Sequence, residues 1–359
     1  MKPFSAVRAR VVTILGVIAV TCLLAGALSS RAVSAQPGPA VPKPTFESQE
    51  AWRAFMAQVP MPLKGCFTAG YPDTAWHEVP CTTAPKLPYP PARAPRSDTV
   101  GNGNDYSAQV NGTHLISTAT GSFASVTGVT SETGDVNGMP PARADAFSLQ
   151  LNSNFFASSE NCNPMVCSAW QQFILSNRTC QCAFMQYWLL NYGDSCPPNW
   201  SAWDLPNCYT NSSAVMIPLQ HIANLRNLSI TGKAVSGGND TLILSTGNRL
   251  YTLQGEDSVL DLALGWQAAE FNLVGDCCGV EADFNAGSTI VVKTAVDSGY
   301  AKSPACMYEG FTGETNNLNL VRDPKRPLPQ DFASEILFME SNGTGANSGQ
   351  FCYSFQGGR

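Results

Sequence analysis

Three stretches of the chain set carboxamide or carboxylate side chains in mid-strand among bulky apolar neighbours. Side chains alternate across a strand, so in Ser168-Ala-Trp-Gln-Gln-Phe-Ile-Leu175 Gln171 shares a face with Phe173 and Leu175. Gln172 shares the opposite face with Trp170 and Ile174. In Cys182-Ala-Phe-Met-Gln-Tyr-Trp-Leu-Leu190, Gln186 alternates with Phe184 and Trp188. In Trp266-Gln-Ala-Ala-Glu-Phe-Asn-Leu-Val274, Glu270 falls with Ala268 and Asn272, opposite Phe271 and Leu273. Such groups are either solvated or held in a cleft. In a cleft, partial burial raises a carboxyl group's pKa and readies it for proton transfer. A neighbouring carboxamide can then donate to a developing oxyanion.

Other chemistries lack their residues. The histidines are His77, His114 and His221, and none stands in a catalytic motif. No Gly-x-Ser-x-Gly elbow, His-Glu-x-x-His helix or Walker phosphate loop occurs. Cys180-Gln-Cys182 and Cys277-Cys278 do not have zinc-ribbon spacing. Neither a metal nor a cofactor is expected.

The elements that would position these groups are strands. From about residue 100, short β-prone runs alternate with turn signals. The early ones are Ser107–Val110, His114–Thr118, Ser122–Val129, Ala146–Asn152, Ala169–Ser176 and Ala183–Asn191. Five more follow at Leu228–Val235, Thr241–Ser245, Arg249–Gln254, Ala268–Val274 and Thr289–Val296. Gly247-Asn248 forms a tight hairpin between two of them, and Ser258–Gly265 a turn or two of helix. This pattern predicts an all-β antiparallel sandwich over 100–303. Residues 36–99 are proline-rich and predict an extended arm, with helical spacing only at Glu50–Gln58, read either as a propeptide or as a linker. Residues 304–359 are a Gly/Asn/Pro-rich extension.

Composition narrows the class. The chain is 44% hydrophobic and 13% charged, which excludes a disordered acidic chain and a multi-span membrane protein. A net charge of -6 argues against nucleic acid as partner. Lys2, Arg8 and Arg10 precede an apolar run from Val11 to Leu28, and Val33-Ser34-Ala35 offers a signal-peptidase site, so export with cleavage after Ala35 is expected. Cleavage would remove one of the 13 cysteines and leave an even number, as in a disulfide framework. The expected pairs are Cys66–Cys81, Cys162–Cys167, Cys196–Cys208 and Cys306–Cys352. Sequence does not pair Cys180, Cys182, Cys277 or Cys278.

Ala-Trp-Gln171-Gln-Phe-Ile-Leu resembles the strand that carries the catalytic glutamine of the glutamic peptidases, or eqolisins. Ala183-Phe-Met-Gln-Tyr-Trp is similar to that family's next, aromatic-rich strand, with Gln186 where the family has Glu. Ala269-Glu270-Phe-Asn-Leu-Val-Gly-Asp resembles the strand of its catalytic Glu, and Phe284-Asn-Ala-Gly with Ser288-Thr-Ile-Val-Val follows in order. The resemblance covers roughly residues 100–298. It implies a concanavalin A-like sandwich and an acid endopeptidase in which Glu270 activates a water and Gln171 binds the oxyanion. It also implies a cleft contacting a polypeptide through Trp170, Gln186, Tyr187, Trp188 and Asn272. The alternative is a lectin-like sandwich that binds a polysaccharide or another surface without catalysis.

Overall fold

The computed structural model describes residues 44–62, 64–92, 105–157, 162, 167–300, 302–321, 334–343 and 352–355. The expected signal segment lies outside them. Two antiparallel sheets, each of ten strands among the described residues, stack face to face. The first, here the site sheet, runs Ser201–Trp203, Asn207–Asn211, Cys182–Leu190, Ser168–Ser176, Phe147–Ser153, Ala268–Gly275, Ser107–Gln109 and Ala305–Met307 in spatial order. The back sheet is centred on Arg249–Glu256, Asn239–Thr246, Leu228–Lys233, Thr118–Thr127 and Thr289–Asp297. A four-stranded sheet made from Glu132–Val136, Met139–Ala144, Glu281–Phe284 and Thr315–Asn316 stands beside them. An all-β antiparallel sandwich is thus the fold.

Contact between the layers fixes which way each strand faces. Gly121 of the back sheet lies under Phe271, where an added Cβ would fall 1.9 Å from the ring. Gly232 lies 2.5 Å, on the same measure, from the Phe173 ring, and Gly255 2.3 Å from the Tyr187 hydroxyl. Phe271, Phe173 and Tyr187 therefore point into the sandwich, beside buried Leu149, Leu151 and Met185. By alternation, Glu270 and Gln172 point outward. Gly121→Ala is expected to cost about 3 kcal/mol, because close-packed layers cannot part by a methyl group without strain. Urea unfolding would measure it, and an unchanged midpoint would mean that the sheets are more loosely apposed.

The proline-rich region is more integral than an arm. Its helix, Gln49–Met56, is capped by the Ser48 hydroxyl and buries Trp52 and Met56 against Ile243 and Leu250 on the outer face of the back sheet. Cys66–Gly70 pairs with Arg249–Glu256 in the back sheet, whereas Cys81–Thr83 pairs with Ser213–Met216 in the site sheet. The Cys66–Cys81 disulfide therefore joins the two layers. The C-terminal extension likewise contributes Ala305–Met307 to the site sheet, and Asn319–Val321, Glu335–Ser341 and Cys352–Phe355 to the back sheet. The expected strand at His114–Thr118 is instead a loop that enters a ladder only at Thr118, with His114 stacked on Tyr300.

Cys162–Cys167, Cys196–Cys208 and Cys306–Cys352 are also bonded. The cysteines left unpaired in the sequence reading form Cys180–Cys182 and Cys277–Cys278, each closing a tight turn. Six disulfides fit an oxidising, extracellular environment. Among the described residues, no helix is long and apolar enough to cross a membrane.

Candidate functional site

Four neighbouring strands of the site sheet align one polar row on its outer face. Gln186 is registered with Gln172, Gln172 with Asn152, and Asn152 with Glu270. The strand Phe147–Ser153 explains part of this, since Ser148, Gln150 and Asn152 alternate with inward Leu149 and Leu151. Asn152 Nδ2 donates to Glu270 Oε2 at 2.9 Å. Gln172 Nε2 donates to Gln150 Oε1 at 3.1 Å, and Gln172 Oε1 accepts from the Trp188 indole at 3.0 Å. Trp188 packs against Trp170, whose indole donates to the Ser153 carbonyl. Each polar member thus has its rotamer held by a neighbour.

Gln171 and Tyr187 do not belong to this row, contrary to the sequence reading. Gln171 points between the sheets, where its Nε2 donates to Asp240 Oδ2 of the back sheet at 2.8 Å. The physical reason is parity: Phe173 must face the core, and Gln171 shares its side of the strand. Tyr187 shares that side as well and lies over Gly255. Trp170, Gln186, Trp188 and Glu270 are on the outer face. Asn272 is committed elsewhere, its Nδ2 donating to both Glu340 oxygens at 3.1 and 3.2 Å and approaching Asp105 at 3.4 Å. Sequence reasoning did not single out Asn152, Gln150, Asp105 and Glu314, and it paired Glu270 with Gln171, whereas the residue on the Glu270 face is Gln172. The alternating Ser148-Leu-Gln-Leu-Asn152 was the available signal.

The row is covered. Residues 84–92, Ala-Pro-Lys-Leu-Pro-Tyr-Pro-Pro-Ala, cross it as an extended strap. The sheet holds the strap mainly by its carbonyl oxygens, which proline retains while losing its N–H. Asn211 Nδ2 donates to the Pro85 carbonyl at 2.8 Å, Gln186 Nε2 to that of Leu87 at 3.0 Å, and Cys278 N–H to that of Pro88 at 3.1 Å. The Tyr89 N–H donates back to Gln186 Oε1 at 2.7 Å, and its ring is buried edge-on against Phe184. Beyond Tyr89 the strap meets a loop of the C-terminal extension: Gly313 N–H donates to the Pro90 carbonyl, and Ala92 N–H to that of Phe311. That loop seals the carboxylate, with Phe311 N–H donating to Glu270 Oε2 at 2.9 Å. Glu314 Oε2 accepts from the Thr312 hydroxyl and from Gln150 Nε2.

Burial therefore sets the electrostatics. Glu270 is 1% exposed, and loss of solvent pushes its carboxyl up to about 7 despite hydrogen bonds from Asn152, Phe311, Asp105 and Thr312. Burial pushes the neighbouring Asp105 well up, helped by the charges of Glu270 and Glu340. Glu314 is raised to about 7 and Glu340 to about 8 for the same reason. Among the described residues, no group of three or more His, Cys, Asp or Glu is placed to hold a metal ion.

No protein-family model matches the chain, and no curated protein matches it. Among solved structures, the crystal structure of scytalido-glutamic peptidase with a transition state analog inhibitor is similar over 66% of this chain and 97% of that one, with 12% identity and a TM-score of 0.29. The same peptidase with a peptide based transition state analog covers the same shares at 10% identity and a TM-score of 0.28.

Proposed function

We propose that the chain is a glutamic-type endopeptidase held in a closed form by its own strap and C-terminal loop. One observation carries this reading: Gln172, Asn152 and Glu270 are aligned and buried on one face of the sheet, where the extended strap holds the row at Gln186 and the C-terminal loop holds it at Glu270. With strap and loop displaced, Glu270 takes a proton from a water, and the water oxygen attacks the peptide carbonyl carbon. Gln172 Nε2 donates to the resulting oxyanion. The proton on Glu270 then passes to the leaving amine as the C–N bond breaks. Asn152 holds the carboxylate in place. Exposure to water also lowers the Glu270 pKa from about 7, so the open form has its base ionised at acid pH while the closed form does not. The six disulfides support the accompanying reading of an exported protein; cleavage of its leader after Ala35 is part of that proposal and rests on the sequence alone.

The burial of the row leaves one competitor, a non-catalytic lectin-like sandwich in which the polar row is purely structural. Casein hydrolysis by the purified full chain at acid pH separates the two. Activity is expected to be low in the native chain and several-fold higher in Tyr89→Ser, which loses the strap's buried anchor. Adding Glu270→Gln to Tyr89→Ser should abolish it. Absence of hydrolysis in Tyr89→Ser, or its survival with Glu270→Gln, would end the peptidase reading. Retention on a polysaccharide without hydrolysis would favour the competitor.

A further inference from the structure

A second concavity lies beside the turn between strands Ser168–Ser176 and Cys182–Leu190. It is open to solvent and offers about 580 Å³, with Val136, Met139, Pro141 and Leu219 as apolar wall and Arg143 and Arg178 as its cationic groups. Neither guanidinium has an ion-pair or hydrogen-bond partner among the described residues, whose ion pairs involve Lys64, His77, His221 and Lys293. Two arginines without partners thus line one concavity in a chain with 27 acidic and 21 basic residues. The base of the pocket is firmly built. Asp276 accepts the Arg178 and Thr179 backbone N–H groups at 2.9 and 2.6 Å, and Cys180–Cys182 closes the same turn.

We propose that this pocket binds the C-terminal residue of a peptide, with the α-carboxylate on Arg143 and Arg178 and an apolar side chain against Met139 and Leu219. Planar guanidinium forks match a carboxylate in bidentate fashion, which fixes the charge of the occupant. The apolar wall fixes its other half. A whole added β-strand is disfavoured, although Met139–Ala144 is an exposed edge, because Pro140 and Pro141 supply no N–H to a ladder. A single terminal residue fits these constraints. The pocket is separate from Glu270, and nothing in it requires hydrolysis.

Methionine-methyl NMR of the full chain tests it, with the Met139 signal assigned by Met139→Leu. N-acetyl-L-leucine is expected to shift the Met139 methyl saturably and to leave the other methionines in place. N-acetyl-L-leucinamide, which lacks the charge, and N-acetylglycine, which lacks the side chain, should each bind at least tenfold more weakly. Arg143→Gln, a change on an exposed edge, should weaken N-acetyl-L-leucine at least tenfold with the remaining methionine signals unmoved. Equal binding of the amide, undiminished binding to Arg143→Gln, or equal binding of inorganic phosphate would each overturn the assignment.

Discussion

Gln172→Leu is expected to lower acid peptidase turnover by about 10²–10³-fold, the usual cost of losing one oxyanion donor, while the fold survives. The comparison with the adjacent residue makes this informative. Gln171→Leu removes the amide that faces Asp240 across the sheets and leaves that buried carboxyl without its 2.8 Å donor. It should therefore destabilise by about 1–3 kcal/mol and leave kcat within a factor of a few. Both variants are best made in the Tyr89→Ser background, with kcat on casein and the urea midpoint read from the same preparations. Gln172 also accepts from the Trp188 indole, so some loss of stability is expected there too. The deciding quantity is the ratio of rate loss to stability loss. If Gln171 carries the rate and Gln172 only stability, the outward row is not the catalytic one.

Stability is expected to be greatest near pH 4–5 and to fall toward pH 9. Burial raises the folded-state pKa of Asp276 to about 6, of Glu270 and Glu314 to about 7, of Glu340 to about 8 and of Glu132 to about 9. Each is above its unfolded value, so between roughly pH 4 and 9 the native state binds more protons than the unfolded chain. The slope of unfolding free energy with pH is then negative, and stability drains away as each group ionises in place. A thermal midpoint lower at pH 9 than at pH 5 by roughly 10 °C is a reasonable size for several such groups in a chain of this length. Glu132→Gln should flatten the alkaline end, since neither Glu132 oxygen has a side-chain partner to lose. A midpoint that rises from pH 5 to pH 9 would contradict the buried-carboxyl assignment.

Much of the sandwich was legible because its central strands are long and strongly patterned. Ala169–Ser176, Ala183–Asn191, Ala268–Val274 and Thr289–Val296 fall within a residue or two of the observed Ser168–Ser176, Cys182–Leu190, Ala268–Gly275 and Thr289–Asp297. Ser201–Trp203 and Met139–Ala144 were not, because three-residue or fully exposed strands carry no apolar alternation, and proline argues against a strand. Cys66–Gly70 was hidden by the prolines around it. At the site, two adjacent glutamines have opposite parity, and local sequence does not say which face is the core. Phe271 over Gly121 and Phe173 over Gly232 decide it, and those are contacts across the sandwich. The strap was illegible for a different reason: backbone carbonyls hold it, and these have no sequence signature.

Because Cys66 and Cys81 are bolted to different layers just upstream of Ala84, one end of the cover is pinned to the frame. Uncovering the row at the other end requires Ala92 to part from Phe311, a contact that the rivet does not hold. A mild reductant that breaks this cross-link would free the hinge rather than the latch. It should speed exposure of Glu270 less than a change at Tyr89 does.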